Sequence, residues 1–540
     1  MQRRFLALIF SFAWILTAGF SAVVAQDLDP AFGDVVDVRV VNIEVVVEDR
    51  AGNRIHGLGP DDLTLTVDGE PMEISYFTEV RGGRALEGAG GVPTAPETMP
   101  GEAVGTRYLV FIDDFFSIDR DRRRVLRELA DDLAYLRPED RVAVVAFDGR
   151  RVDLLTSWTG SEGKILDALR RAERRPAFGL QRLAERRAFG RSFGRRFSRL
   201  PDTRLSVTER AYAGQIGEQT ERAVDAAVAT LRGFGRPAGR KVMLLLSGGW
   251  PDSPALFAAD DLLRPLVAFD GYSGRDLYTP LIDTANLLGY TLYPIDVPGL
   301  EGDFGADVSL AGRQRDLSNR RSFEQERILH DSLYRLAEET GGQPLINGRR
   351  LSALERVADD TRSYYWIGFV PERRRDNDAH EVRVRAKAKA MKVRARSGYR
   401  DLSRALETNM EVESALLFGG AAAEGGLAVD LGAAQRDGRR FVQIPVELVI
   451  PTDALTALPS ADGAVTARLE LRIAALDERN RRSEISAVPI ELTFDEAPPV
   501  GGAVAYETSV RLRRQPQDLV VALHDPISGR GLMTRLAVAP

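Results

Sequence analysis

Cysteine is absent from the 540-residue chain, and histidine occurs only four times. Without cysteine the protein has no disulfides, no thiolate metal site, no cysteine nucleophile and no lipid anchor on cysteine. The histidines lie far apart in the sequence, and none has the spacing of a metal-ligand pair, which argues against a histidine-based zinc site. They are His56, His330, His380 and His524.

An excess of basic charge is also missing. Lysine and arginine together number 73 against 79 aspartates and glutamates, which gives a formal net charge of -6. This balance predicts no general affinity for nucleic acid. The length and the ordinary apolar content favour a globular protein of about two to four domains.

A long apolar run occurs only at the beginning of the chain. Residues 1–4 are basic, residues 5–24 are apolar, and small residues at Val23 and Ala25 precede Gln26. This pattern is typical of a secretory signal over residues 1–25, with an uncleaved membrane anchor as the alternative. We therefore expect an extracytoplasmic protein, periplasmic or secreted, with no membrane span after signal removal.

Three structured regions are expected along the rest of the chain. Residues 35–81 alternate apolar and polar side chains and predict a small β-module, which a Gly- and Pro-rich linker over residues 82–105 follows. Residues 401–426 read as a helix and a linker. Short strands separated by turns then predict a C-terminal β-sandwich over residues 427–540.

Residues 106–400 alternate apolar strands with amphipathic helices. This alternation predicts an α/β domain with a doubly wound, mostly parallel sheet that helices cover on both faces. A hairpin is expected over residues 380–396. The predicted strands of the sheet are residues 108–112, 142–147, 242–246, 291–295, 344–346 and 364–370.

Acidic and hydroxyl side chains follow the first of these strands. Asp113, Asp114 and Ser117 stand at its carboxyl end, which is where open α/β sheets bind their ligands. Oxygen ligands of this kind suit magnesium, manganese or calcium. An alternative is that the two aspartates only place negative charge at the start of the next helix.

Seven segments between residues 35 and 400 are informative through their order and spacing. They are residues 45–52, 57–63, 67–71, 138–142, 336–342, 364–369 and 394–399. Together, over residues 35–400, they resemble the bacterial secreted von Willebrand factor type A-related proteins of acidobacterial type. This resemblance implies a von Willebrand A-like domain whose metal-ion-dependent adhesion site binds a protein partner through a divalent cation.

The chain keeps only part of that implied metal site. Asp113 matches the first Asp and Ser117 the last Ser of the family's Asp-x-Ser-x-Ser loop, but Phe115 replaces the middle Ser. Gly248 stands where an Asp is expected. A Thr ligand is expected within residues 176–216. Thr203 and Thr208 are unaligned candidates for it, and Asp114, Asp119 and Asp252 are candidate replacement ligands. The alternatives are a degenerate site without a cofactor and a rearranged cation site.

Residues 176–216 form an Arg-rich insertion with interspersed phenylalanines. One interpretation is a patch that binds an anion, a nucleic acid or a membrane surface. The alternative is a solvated insertion whose phenylalanines dock on the domain. Its position also suits contact with a partner protein.

Ser247 precedes two glycines, as the serine of a hydrolase nucleophile elbow does. Leu245 replaces the first glycine of that motif, which argues against a serine hydrolase.

We therefore expect an exported, non-catalytic protein that binds a protein partner or acts in adhesion at the carboxyl edge of the sheet. The alternative is a structural envelope or matrix component with a vestigial ligand site. The predicted contact residues are Asp113, Asp114, Ser117, Ser247, Trp250 and Asp252.

Overall fold

A computed structural model describes most of the chain beyond the N-terminal segment. The described residues are 40–86, 93, 99–193, 205–235, 237, 239–259, 273–297, 313–371, 377–418, 427–459, 464–477 and 482–540. The expected signal over residues 1–25 and the candidate ligand Thr203 lie outside them. The architecture is mixed α/β with several sheets, one of which combines parallel and antiparallel strands, so the sequence prediction of an α/β protein is confirmed at this level.

The helices and strands follow one another in three groups. The first group is β1 Val41–Glu48, β2 Leu63–Val67, β3 Glu70–Met72, β4 Tyr76–Arg81 and β5 Arg84–Ala85. The second is β6 Thr106–Asp113, α1 Asp119–Asp131, β7 Arg141–Phe147, β8 Val152–Thr159, α2 Glu162–Arg174, α3 Gly179–Phe193, α4 Val207–Phe234, β9 Arg240–Ser247, α5 Pro254–Ala258, α6 Gly274–Leu288, β10 Tyr290–Asp296, α7 Arg313–Glu339, α8 Ala353–Thr361, β11 Tyr364–Phe369, β12 Ala379–Ala386, β13 Lys392–Arg394, β14 Gly398–Arg400 and α9 Arg404–Phe418. The third is β15 Ala428–Leu431, β16 Gln435–Asp437, β17 Phe441–Pro451, β18 Ala457–Pro459, β19 Val465–Asp477, β20 Ala487–Phe494, β21 Ala503–Arg513, β22 Gln517–His524 and β23 Gly531–Val538.

The central sheet has the order β10-β9-β6-β7-β8. Its first four strands are parallel, and β8 runs antiparallel to β7. Side chains of β6 enter two hydrophobic clusters on opposite faces, with Leu109 and Phe111 in one and Val110 and Ile112 in the other. Burial on both faces explains why these strands read as continuous apolar runs rather than as alternating ones.

The strand predicted at residues 364–370 lies in a different sheet. β11 pairs antiparallel with both β1 and β4, and its Ile367 packs in one core with Ile43 and Phe77. Strands β11, β12, β13 and β14 therefore complete the β-module predicted at residues 35–81 and do not belong to the parallel sheet. The short strand predicted at residues 344–346 is reduced to a single bridge between Leu345 and Ile295.

The segment predicted as a hairpin, residues 380–396, does not pair with itself. β12 lies between β2 and β14, and β13 pairs with β1. Part of the predicted linker is also ordered within the module, because β5 pairs with β4 and Arg84 bridges Ala103. Both departures place residues from distant parts of the sequence in one small β structure.

Two sheets enclose a single hydrophobic core at the C-terminal end of the chain. One joins β15, β16, β17 and β21, and the other joins β18, β19, β20, β22 and β23. Helix α9 packs Val412 and Leu416 against this region, while Phe418 contacts Phe234 at the end of α4. Within the described residues, no helix is both long and apolar enough to cross a membrane.

Candidate functional site

Asp113, the last residue of β6, is fully buried and accepts four hydrogen bonds. The backbone N–H groups of Phe115 and Phe116 donate to Oδ1 at 3.0 and 3.2 Å. The hydroxyl of Ser247 and the indole Nε1 of Trp250 donate to Oδ2 at 2.7 and 2.9 Å. Adjacent parallel strands thus join their carboxyl ends through this side chain.

Burial raises the pKa of Asp113 to about 6, because the charged form loses its hydration. The hydrogen bonds from Ser247, Trp250 and the Phe116 backbone lower the pKa, and the nearby charge of Asp114 raises it. The desolvation effect is the largest of these. Asp113 is consequently a carboxyl group whose charge state changes close to neutral pH.

Asp114 is buried beside two arginines. Arg122, which is itself fully buried, pairs with Oδ1, and Arg175 donates from Nε to Oδ2 at 2.6 Å. Burial raises the pKa of Asp114, and both guanidinium groups act against that effect. The alternative interpretation, in which Asp113 and Asp114 only place negative charge at the start of the next helix, does not fit, because α1 begins only at Asp119.

Ser117 is buried below the insertion. Its carbonyl accepts the Gly179 N–H at 3.0 Å, and the Asp114 carbonyl accepts the Phe178 N–H at 2.9 Å. The Ser117 hydroxyl has no hydrogen-bond partner among the described residues. A Cβ on Gly179 would lie 2.6 Å from the Ser117 carbonyl group, so only glycine permits this close approach of α3.

Phe115 and Phe116 lie in the loop after β6, where the metal-binding loop of the resembling family is expected. Their rings meet edge to face at 5.0 Å, and Phe116 is fully buried. The guanidinium of Arg182 in α3 lies 4.5 Å from the centre of the Phe115 ring. A Cβ on Gly149, which has a φ of 91°, would lie 2.3 Å from that ring, so the loop after β7 also closes on it.

The segment after β9 supplies the remaining predicted site residues. Trp250 stacks on Tyr278, with the ring centres 6.2 Å apart. Asp252 accepts two hydrogen bonds from Arg335, at 3.0 and 3.2 Å. The Gly249 backbone has a φ of 100°, in the region that favours glycine, which explains the glycine before the tryptophan.

Of the six predicted contact residues, Ser247 and Trp250 are hydrogen-bonded to Asp113, and the six do not form a surface. Five of them are fully buried, and only Asp252 reaches the surface in part. A contact made by these five side chains would require the strand end to open. Sequence reasoning missed Arg122 and Arg175, since nothing in the spacing shows that distant arginines will be buried against Asp114.

The oxygens of this cluster do not fit a divalent cation. Those of Asp113 and Asp114 accept hydrogen bonds from protein groups, and a cation would have to displace the Trp250 N–H or a guanidinium. Cations of this class need several free oxygens. Within the described part of the chain, no group of three His, Asp or Glu side chains is placed to hold a metal ion. Of the other candidate ligands from the sequence, Asp119 pairs with Arg122 and Arg123, and Thr208 lies in α4.

The Arg-rich insertion docks on the domain through its aromatic residues. Phe178 and Phe189 pack against the main core, and Phe189 stacks on Tyr212 at 4.7 Å. Arg186 lies over the ring of Phe257 at 4.2 Å. The side chains of Phe193 and Phe197 lie outside those described. The described residues of the insertion thus cover the strand end that carries Asp113.

A cavity of about 400 Å³ lies between helices α6 and α7 and strands β12 and β14. The ring of His380 stacks on Tyr399 at 4.9 Å along its wall. Arginine and carboxylate side chains both line it, and Arg400 pairs with Asp283 at 2.7 Å. Its balanced charges do not select a ligand of one sign.

A second buried charge cluster joins the β-module to the α/β region. Asp360 in α8 pairs with Arg394 at 2.6 Å and with Arg54, and it accepts the Tyr293 hydroxyl at 2.5 Å. Glu48 pairs with both arginines. Although burial raises the pKa of Asp360, the charges of Arg394 and Arg54 outweigh it, and the net pKa is lowered to about 2.

No family model and no curated protein matches the chain. Among solved structures, the N-terminal domain of TFIIH p34 is 12% identical over 47% of this chain and 96% of its own, with a TM-score of 0.18. The pilus adhesin SpaC from Lactobacillus rhamnosus GG is 9% identical over 88% of this chain and 58% of its own, with a TM-score of 0.26. Similarities of this size carry no argument about fold or function.

Proposed function

We propose that this chain is an exported, non-catalytic structural component of the cell envelope or matrix, with a von Willebrand A-like, doubly wound domain at its centre. The observation that carries the proposal is the saturated, buried carboxylate of Asp113. In this view the carboxyl edge of the sheet has become a structural junction and no longer offers a ligand site.

Three further contacts support a closed edge. Phe115 and Phe116 occupy the loop, α3 is anchored on the Ser117 and Asp114 carbonyls, and Arg122 neutralises Asp114. The buried Ser247 hydroxyl donates to Asp113 and does not face a substrate, which favours a non-catalytic role. Export rests on the sequence of residues 1–25 alone.

A cation titration tests the closed edge. We expect purified protein to give no saturable heat with magnesium, manganese or calcium, and no rise in melting temperature. Ser117→Ala is the informative variant, because among the six predicted contact residues only the Ser117 side chain is buried without a hydrogen-bond partner in the described part of the chain. Ser157→Ala, at an exposed position, is the control. Saturable binding that is lost in Ser117→Ala but kept in Ser157→Ala would contradict the closed edge and support a rearranged metal site.

Adhesion or partner binding at this edge is the second candidate, and one observation favours it. Leu180, on the helix that covers the edge, is 63% exposed. A partner would then contact α3 and not Asp113. A photo-crosslinking residue at position 180 should capture a defined partner in the source cells if this candidate is right, whereas the same residue at Val500, 93% exposed in the C-terminal region, should not.

A further inference from the structure

Strand β21 forms an open edge of the C-terminal sandwich. It is 11 residues long and pairs with β17 along its whole length in an unbroken register. Within the described part of the chain, no strand pairs with its other side. Such an edge presents a row of free backbone N–H and C=O groups to another strand.

The hydrogen bonds at the two ends of the pair show which residues face outward. The Arg514 N–H donates to the Arg440 carbonyl at 2.9 Å, and the Thr452 N–H donates to the Gly502 carbonyl at 3.0 Å. Even-numbered residues of β21 thus bond to β17, because bonded pairs alternate along an antiparallel ladder. The odd-numbered residues, among them Glu507, Ser509 and Arg511, direct their backbone groups to the open edge.

The edge lacks the proline of β20 and the short length of β15 and β16. Natural edges are blocked by charged side chains, lysine above all, by proline, by bulges or by short length. β20 contains Pro489, and β15 and β16 have only four and three residues. β21 has no proline, lysine or bulge. Its inward-facing Val504, Tyr506 and Val510 are only half-buried, whereas the inward-facing residues of β17 are buried.

We propose that β21 pairs antiparallel with β21 of a second copy of this chain, with Ser509 on the two-fold axis. This register places Glu507 opposite Arg511 of the second copy, twice by symmetry. It also sets Tyr506 opposite Leu512 and Thr508 opposite Val510 on the inner face. The central ladder supplies about six backbone hydrogen bonds. A two-fold axis at Glu507 or at Arg511 would instead bring like charges together.

The self-complementary charges give the proposal a sharp test. In Glu507→Arg both cross-strand pairs become arginine with arginine, and in Arg511→Glu both become glutamate with glutamate. Each variant should weaken dimer formation at least about tenfold in sedimentation velocity. An equimolar mixture of the two variants should dimerise again, because both pairs then have opposite charges.

The mixing step separates the interface from local damage. Arg511 also pairs with Asp437 and stacks on Phe441 within its own chain, and those losses cannot be restored by mixing. Glu491→Arg, on β20 and 59% exposed on its side chain, is the matched control and should leave the dimer unchanged. Circular dichroism establishes that each variant is folded.

Three results would overturn the proposal. The first is a wild-type chain that stays monomeric at high concentration. The second is a dimer that neither charge reversal weakens, which would place the interface elsewhere. The third is a mixture of the two folded variants that remains monomeric, which would contradict the register with Ser509 on the axis.

Discussion

The indole Nε1 of Trp250 lies 2.9 Å from Oδ2 of Asp113, and both side chains are fully buried. A tryptophan that follows β9 thus supplies a hydrogen bond to the carboxylate that ends β6. This contact, with the one from Ser247, holds the two neighbouring strand ends together. It also occupies the oxygen that a cation or a ligand would need.

Trp250→Phe tests the structural weight of this contact. The variant keeps most of the apolar ring but leaves a buried carboxylate oxygen with one donor fewer. Loss of a hydrogen bond to a charged, buried group should lower the free energy of unfolding by about 2–3 kcal/mol. Urea denaturation measures the change. Trp158→Phe is the control, because Trp158 is half-buried and packs edge to face on Phe234. Equal losses in the two variants would refute a special role for the indole N–H.

The buried Asp113 should make stability fall as pH rises toward neutrality. Its pKa is about 6 in the folded protein against an ordinary value of 3.8, so the folded state holds this proton more tightly than the unfolded state. The contribution is fully favourable below about pH 4 and is lost as pH rises through about 6, a change of about 3 kcal/mol. We therefore expect the free energy of unfolding of the wild type to fall, relative to that of Asp113→Asn, as pH rises between those values. Denaturation of both proteins at several pH values measures this change.

The control for this pH dependence is Asp167→Asn, whose side chain is 73% exposed. Its stability curve should run parallel to that of the wild type. If the curve of Asp113→Asn is also parallel to the wild-type curve, the inferred pKa of Asp113 is wrong.

The sequence predicts the strand ends of the site better than it predicts their environment. The apolar runs before Asp113 and at β9 mark the strands, and the rule for open sheets brings Asp113 and Ser247 to one edge. The same residues turn out to be covered, because Arg122 and the α3 insertion reach them through contacts that no local pattern encodes. The exposure of Asp113 and Ser247 depends on these distant segments, and the local spacing of residues in the sequence does not predict it.

β11 shows that the local sequence also does not determine which sheet a strand joins. Its apolar residues 364–369 would suit either sheet, since a strand buried on both faces carries no alternation to mark its place. Its pairing with β1 and β4 is decided by the module core around Ile43 and Phe77. Largely buried arginines such as Arg394 then link this module to α8 through carboxylates of distant segments, Glu48 among them.

Removal of the Asp360 charge should damage the junction between the β-module and the α/β region. Asp360→Asn removes one of the two carboxylates that pair with Arg54 and Arg394, at a largely buried position, and leaves them Glu48. A buried charge left wholly unpaired typically costs about 3–5 kcal/mol, so with Glu48 in place we expect a loss at the lower end, about 3 kcal/mol. Asp359→Asn, with a side chain 67% exposed, is the matched control and should change stability by less than about 0.5 kcal/mol. Thermal and urea unfolding both report the difference, and similar values for the two variants would contradict the role of the cluster.

Acid should weaken the same junction. The pKa of Asp360 is lowered to about 2 in the folded protein, so its contribution is present above about pH 4 and is lost as pH falls through about 2. The difference from the ordinary value of 3.8 corresponds to about 2–3 kcal/mol. The stability gap between wild type and Asp360→Asn should therefore narrow in acid. This is the opposite direction to the effect of Asp113, and a gap that stays constant down to about pH 2 would argue against it.

Gly179→Ala tests whether α3 is fixed on the strand end. The added Cβ would lie 2.6 Å from the Ser117 carbonyl, a backbone group that cannot turn aside. We expect α3 to shift, the amide hydrogens of residues 179–193 to exchange faster, and stability to fall by about 1–3 kcal/mol. Gly163→Ala in α2 is the control, because its Cβ would meet nothing within 4 Å and alanine favours a helix. Unchanged exchange in Gly179→Ala would mean that the insertion adapts freely, and the closed edge proposed for this domain would lose its main cover.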